Sequence, residues 1–156
     1  MKNKGIRFEE RILRSLNNMT VPSHFIKSPT PVSVQESLGN RITKGYYKES
    51  ALNDFVGSYN GKFVLIEAKV TSERLNYSRV KTHQMSSLES AYESNGMALI
   101  VIFFQKDNKV MAIDYKDMKK NYKKGTSIKI NDESLREIKN KSPVFLDFES
   151  YFNNYI

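Results

Sequence analysis

The sequence contains no cysteine and only two histidines among its 156 residues. Without cysteine, the chain cannot use disulfide scaffolds, thiolate nucleophiles, iron–sulfur clusters or cysteine-based zinc sites. The histidines, His24 and His83, are too few and too far apart in sequence to favour a zinc site or a Ser-His-Asp triad. Any chemistry that this chain performs is therefore expected to depend on other side chains.

Long apolar segments and linker-like sequence are also lacking. The longest apolar run, residues 97–104, has the length of a strand and falls short of the roughly 18 residues of a membrane span. Charged residues interrupt the N-terminal segment, which argues against a signal peptide. The chain has only seven glycines and four prolines and no internal repeat. We therefore expect a single domain over residues 1–156 in a soluble, cytoplasmic protein.

Positive charge is abundant and unevenly distributed. Lysine and arginine number 25 against 17 acidic residues, a formal net charge of +8. Residues 1–50 carry nine basic and four acidic residues, residues 51–104 carry five of each, and residues 105–141 carry eleven and six. Basic segments thus flank a neutral middle that holds several carboxylates. This pattern favours a nucleic-acid partner, although a solvated basic surface without a ligand would look similar.

The hydrophobic pattern alternates between helices and strands, which predicts an α/β domain with a mixed sheet. A turn-rich connection over 20–32 leads into an extended stretch near 32–34, and a short basic stalk or loop is expected at about 38–50. The predicted helices are 5–18, 80–93, 116–124, a helix start at 134–139, and 149–156. The predicted extended segments are 52–58, 62–70, 97–104, 110–115, 126–130 and, as strand or loop, 143–148.

A hairpin in the neutral middle brings two carboxylates together. Asn60-Gly61 is a strong two-residue turn signal, and a hairpin closed there pairs Asp54 with Glu67. Lys69 lies two residues after Glu67 and therefore projects from the same face. Facing carboxylates beside a lysine predict a divalent-cation site. Two alternatives stay open: a bulge at Gly57 would turn Asp54 away, and on a solvent-facing hairpin Lys69 would only neutralise the acids.

Two predicted helices direct polar groups towards the interior. In helix 5–18, Glu9 falls near the middle of an apolar arc, which suggests that it meets a metal or a buried base. The apolar arc consists of Ile6, Phe8, Ile12, Leu13, Leu16 and Met19. In helix 80–93, Gln84 shares a face with apolar residues, so its amide should find a polar partner inside. His83 is expected at the edge as a phosphate or surface contact, and His24 in a loop.

The segment Asp54…Glu67-Ala68-Lys69 resembles the PD-(D/E)xK nuclease signature, and the chain more widely resembles RecU-type Holliday-junction resolvases. The similar segments are 4–10, 28–32, 46–50, 57–71 and His83-Gln84 with the apolar strand that follows. The resemblance implies a restriction-endonuclease-like core, a homodimer, and Mg²⁺ with Mn²⁺ as a plausible substitute. It also implies resolution of four-way DNA junctions by paired symmetric nicks.

Carried over residue by residue, the resemblance makes Asp54, Glu67 and Gln84 the metal-site residues and Lys69 the lysine that stabilises the transition state. Glu9 would be the acidic residue that the first helix contributes. The chain departs from the family at Leu52-Asn53: Asn53 stands where many members of the nuclease superfamily carry proline, and the family's threonine shortly before the aspartate is missing.

Two basic segments are expected to contact DNA. The segment 41–48 could enter the junction centre, where aromatic side chains stack on bases; its proposed contacts are Arg41, Lys44, Tyr46, Tyr47 and Lys48. The segment 116–124 could hold a duplex arm through Lys119, Lys120 and Lys123, or could be a solvated helix face. Two other functions stay open: a general nuclease of the same superfamily, and a non-catalytic protein that binds junctions.

Overall fold

The computed structural model describes residues 3–29, 32–47, 53–122, 125 and 127–155, except for the side chain of Tyr47. Its centre is a pair of parallel strands, β5 (Lys62–Thr71) and β7 (Met97–Phe104), paired from Val64–Met97 to Thr71–Phe104. Parallel neighbours require a crossover connection. Helix α2 (Thr82–Glu93) provides it, after a short 3₁₀ turn over Tyr77–Arg79.

Antiparallel strands extend this pair into a six-stranded mixed sheet. On one side, β4 (Phe55–Tyr59) pairs with β5, and β1 (Ser23–Lys27) pairs with β4 at the edge. On the other side, β8 (Lys109–Asp114) pairs with β7, and β10 (Arg136–Glu137) forms the second edge. The order across the sheet is therefore β1-β4-β5-β7-β8-β10.

Helices cover both faces of the sheet because its central strands are apolar on both sides. Helix α1 (Lys4–Leu16) and helix α4 (Phe148–Tyr155) contribute to one buried cluster, with Phe8 and Phe152 among its members. Helix α2 and helix α3 (Tyr115–Tyr122) contribute to the other, with Leu88 and Met118. A mixed sheet flanked by helices is the predicted fold class, which the structure confirms.

Two small antiparallel sheets lie outside the main one. Strands β2 (Val32–Leu38) and β3 (Arg41–Tyr47) pair with each other as a hairpin, which we call the ribbon. The basic stalk or loop predicted at about 38–50 forms, over its described residues 38–47, the tip and second strand of this ribbon. Strand β6 (Arg74–Asn76) pairs with β9 (Ser127–Lys129), so the described part of the extended piece predicted at 126–130 contains a strand that lies in this small sheet.

The helix predicted to start at 134–139 is wrong, because this segment forms β10. Leu135 and Ile138 have a spacing that suits a helix, yet both are buried in opposite clusters on the two faces of the sheet. Alternation along an extended chain places residues three apart on opposite faces. The backbone N–H of Ile138 also donates to the carbonyl of Val110, 2.9 Å away, which fixes the segment to β8.

The segment 20–32, for which the prolines predicted a turn-rich connection, contains the edge strand β1. His24, predicted in a loop, is exposed on β1, and Phe25 is the one β1 side chain that reaches the core. In α1, Ile6 is exposed although it was placed in the apolar arc, since it lies in the first turn of the helix. No helix in the described ranges is long and apolar enough to cross a membrane.

Candidate active site

The predicted hairpin forms with the predicted register. Tyr59 pairs with Lys62 and Phe55 with Ile66, around a turn in which Asn60 and Gly61 both have positive φ values, 48° and 80°. No bulge interrupts β4 at Gly57, which pairs regularly with Val64. This register places Asp54, one residue before β4, level with Glu67. The Asp54 carboxylate accepts a hydrogen bond from the backbone N–H of Ala68, 2.8 Å from Oδ2.

Glu67 is the centre of the site, with only 2% of its surface exposed on a strand in the middle of the sheet. Its Oε1 accepts a hydrogen bond from Gln84 Nε2 at 2.7 Å and lies 3.0 Å from Lys69 Nζ. Its Oε2 accepts from Asn53 Nδ2 at 3.1 Å. A buried carboxylate needs such partners to offset the loss of its hydration. The three donors fix the orientation of the carboxylate.

Lys69 and Gln84 form a hydrogen bond with each other in addition to their contacts with Glu67. Lys69 Nζ donates to Gln84 Oε1 at 3.3 Å, and the lysine side chain is 14% exposed. Gln84 lies in the first turn of α2, where its Oε1 also accepts from the backbone N–H of Lys81 at 2.9 Å. The interior amide predicted for Gln84 is thus present, and its partner is the Glu67 carboxylate.

Burial and negative charge act together on Asp54. The pKa of Asp54 is raised to about 7; loss of hydration is the largest cause, and the nearby charge of Glu67 is the second. The hydrogen bond from Ala68 N–H and the charge of Lys69 act in the opposite direction and only partly compensate. The ionised form of Asp54 is therefore disfavoured at this position, and a nearby cation would favour it.

Glu9 approaches the same site from α1. Its carboxylate is partly buried and forms an ion pair with Lys27 at the end of β1. Its charge contributes to the raised pKa of Asp54, which places Glu9 within electrostatic reach of that carboxylate. The structure therefore brings Glu9, Asp54, Glu67, Lys69 and Gln84 into one region of the molecule.

Asn53 is the residue that the sequence reading did not recognise. It is fully buried, and its Nδ2 donates both to Glu67 Oε2 and, at 3.3 Å, to the main-chain oxygen of Gln84. Its Oδ1 is buried and has no hydrogen-bond partner within the described part of the chain. The available signal was its position directly before Asp54, two residues before β4 begins.

The oxygen atoms at this site suit a hard divalent cation. Within the described ranges, no three acidic or histidine side chains come close enough to hold a metal ion by themselves. Magnesium is commonly held by one or two protein carboxylates, with water and substrate phosphate completing its shell. Two carboxylates with a raised aspartate pKa, and an unpaired amide oxygen on the residue that donates to Glu67, fit such an ion.

The residues predicted to contact DNA lie on exposed surfaces. Arg41, Lys44 and Tyr46 are exposed on β3 of the ribbon. Tyr47 lies in β3, but its side chain and all of Lys48 fall outside the described residues. His83 is exposed beside Gln84.

The basic surface of α3 is partly neutralised. Lys119 is exposed, forms an ion pair with Glu89 of α2 and lies over the ring of Tyr115, 5.9 Å from its centroid. Lys120 is exposed without an ion pair in the described ranges, and Lys123 lies outside them.

Comparison with known proteins assigns the family. The model of the family described as Recombination protein U matches residues 3–154. The chain belongs to the RecU family. Its RecU relatives include a protein of Bacillus cytotoxicus, 26% identical over 125 residues, which cover 73% of this chain and 62% of the relative. A RecU of Listeria monocytogenes is 31% identical over 87 residues, covering 51% of this chain and 43% of the relative. Both are named Holliday junction resolvase RecU.

The RecU relatives are longer than the aligned region, since this chain spans less than two thirds of either one. Among solved structures, the chain is similar to Hjc of Archaeoglobus fulgidus, a Holliday junction resolvase, with a TM-score of 0.46 and 16% identity. That similarity covers 72% of this chain and 78% of the other.

Proposed function

We propose that this RecU-family chain is a metal-dependent endonuclease that resolves four-way DNA junctions by paired symmetric nicks. The observation that carries the proposal is the buried Glu67 carboxylate, held by Lys69, Gln84 and Asn53 level with Asp54. Burying this many ionisable and polar groups in the middle of a sheet is costly for a purely structural purpose. The arrangement of these groups is explained if the site binds a cation and a phosphate.

Asp54 and Glu67 would supply the carboxylates that hold Mg²⁺, or Mn²⁺ in its place, and Gln84 is the third ligand that the resemblance implies. When bound, such a cation supplies Lewis acidity towards a phosphoryl oxygen and lowers the pKa of a water molecule. Glu9 would add negative charge from α1. The relatives are named Holliday junction resolvase RecU, which supports junction cleavage as the reaction that such a cation would serve.

Lys69 has two tasks in this proposal. Its ammonium group lies 3.0 Å from Glu67 Oε1 and is mostly shielded from solvent, so its charge acts in an environment of reduced polarity. There it would orient the attacking water and offset the negative charge that develops on the phosphate in the transition state. Gln84 fixes the lysine and the glutamate relative to each other.

Two surfaces would bind the DNA around this site. The ribbon would reach the junction centre with Arg41, Lys44 and the tyrosines, and Lys48 follows them in the sequence. Lys119 and Lys120 of α3, Lys123 after them in the sequence, and His83 near the site would contact the phosphates of a duplex arm. Because a four-way junction has approximate two-fold symmetry, a C2 homodimer with one site per subunit would place two symmetric nicks.

One experiment separates this function from its alternatives. The protein is incubated with labelled four-way junction and with linear duplex of the same sequence, in Mg²⁺ or in EDTA. We expect paired symmetric nicks in the junction alone, and only with Mg²⁺. Equal cutting of linear duplex would indicate a general nuclease, and tight junction binding without any cutting would indicate an architectural protein.

A further inference from the structure

The Asn53 side-chain amide has an orientation that its surroundings determine. Its Nδ2 faces two acceptors, the Glu67 carboxylate and the Gln84 main-chain oxygen. Rotating the amide by 180° would bring Oδ1 against both of these oxygens. These two contacts therefore require Nδ2, and not Oδ1, at the position that faces Glu67 and α2.

The oxygen of this amide is left without a partner. Asn53 is fully buried, and its Oδ1 accepts no hydrogen bond from any residue that the structure describes. A buried unpaired acceptor costs free energy, and native structures usually satisfy it with an ordered water or an ion. The other amide at the site behaves differently, because Gln84 Oε1 already accepts from Lys69 and from the backbone N–H of Lys81.

An amide oxygen is a suitable ligand beside crowded carboxylates. It is a hard, neutral donor that can complete a divalent cation's shell without adding negative charge next to Asp54 and Glu67. We propose that Asn53 binds the active-site cation through Oδ1 while its Nδ2 holds Glu67. This inference rests on the proposed metal dependence, and it names a ligand that the sequence reading did not include.

Two variants of Asn53 separate a ligand from a residue that only positions Glu67. Asn53→Leu has a similar volume but no oxygen. Asn53→Asp keeps an oxygen where Oδ1 is, but it replaces the donor that faces Glu67 with a second acceptor. Mn²⁺ affinity is measured at pH 8 by calorimetry and by electron paramagnetic resonance of free Mn²⁺, with circular dichroism to verify folding. Asp54→Asn serves as the reference for loss of a carboxylate ligand.

We expect Asn53→Leu to bind Mn²⁺ about 10- to 100-fold more weakly than the wild type, and Asn53→Asp to bind within about threefold of it. A loss smaller than tenfold in Asn53→Leu would overturn the proposal and assign Oδ1 to a water. Equal losses in both variants would also overturn it, since Asn53 would then act only by holding Glu67. If Asn53→Leu does not fold, Asn53→Ala, which also lacks the oxygen, replaces it under the same limits.

The proposed function can fail separately. If the wild type binds no Mn²⁺, or binds it unchanged when Asp54 is replaced by Asn, the metal site itself is wrong and the Asn53 ligand falls with it. If Mn²⁺ binding depends on Asp54 but not on Asn53, only the inference about Asn53 is overturned.

Discussion

Asp54 carries the clearest electrostatic signature in the site. Its carboxylate lies in a buried hairpin, level with Glu67 and within reach of Glu9, and burial is the largest reason why its pKa rises to about 7. An unfolded aspartate has a pKa near 4. Between about pH 4 and pH 7, Asp54 therefore carries a proton in the folded, metal-free protein but not in the unfolded chain.

This difference predicts how stability depends on pH. Because the folded state binds more protons in that window, the free energy of unfolding of the metal-free protein should fall as the pH rises from about 4 to 7, by at most about 4 kcal/mol from this group. Urea denaturation in EDTA at a series of pH values measures the fall. In Asp54→Asn, the part of the fall due to Asp54 should disappear, whereas an unchanged profile in that variant would mean that Asp54 is not the group responsible.

At the scale of elements, the hairpin and its outer neighbour set the position of the site. Strand β1 covers β4 so closely that an ideal Cβ placed on Gly57 would lie 2.1 Å from the carbonyl oxygen of His24. Gly57 therefore permits the contact between strands rather than a bulge. Strand β1 carries Lys27, β4 begins directly after Asp54, and β5 carries both Glu67 and Lys69.

The glycine can be tested by adding one methyl group. Gly57→Ala should lower the free energy of unfolding by about 1–3 kcal/mol because β1 or β4 must move to admit the methyl. Denaturant titration measures the loss. Gly5→Ala in α1 is the matched control: a methyl there meets no close backbone, and alanine is the better helix former, so stability should rise slightly. A Gly57→Ala protein as stable as the wild type would contradict this packing.

The ribbon is an element that exposes both basic and apolar side chains. Leu38 is 75% exposed at its tip, beside Arg41. Both ribbon strands pair only with each other in the described ranges. Side chains on it can therefore be replaced with little effect on the core.

Removing the ribbon's charges should weaken junction binding without affecting folding. For the double variant Arg41→Ala with Lys44→Ala, we expect an unchanged melting temperature, weaker binding to a four-way junction, and a salt dependence of log K reduced by about 2. The measurement is binding to labelled junction at several salt concentrations. Lys109→Ala with Lys139→Ala removes two exposed charges elsewhere and should leave the binding unchanged. Equal losses of junction binding in the two double variants would mean that the ribbon contributes only general positive charge to binding.

For the whole molecule, the parts that could be predicted from sequence are those that depend on local geometry. The Asn60-Gly61 turn determines the pairing of β4 with β5, and with it the positions of Asp54, Glu67 and Lys69. The apolar run of β7 likewise indicates a central strand. Neither result needs knowledge of distant parts of the chain.

The parts that could not be predicted depend on contacts between distant segments. Asn53 is important because α2 brings Gln84 against it, and no local pattern encodes that approach. Strand β10 forms because β8 offers a free edge and both faces of the sheet offer buried sites for Leu135 and Ile138. In both cases, the tertiary environment determines the outcome.

The central claim is that the buried Glu67 site cuts DNA whereas separate surfaces bind it. Glu67→Gln tests this most directly, with Glu73→Gln, an exposed glutamate just beyond β5, as the matched control. Both proteins are assayed for binding and Mg²⁺-dependent cleavage of the same labelled four-way junction. We expect Glu67→Gln to lose cleavage by at least about 100-fold and to bind the junction as the wild type does, while Glu73→Gln retains both. Cleavage by Glu67→Gln at the wild-type rate, or loss of binding together with cleavage, would contradict the account.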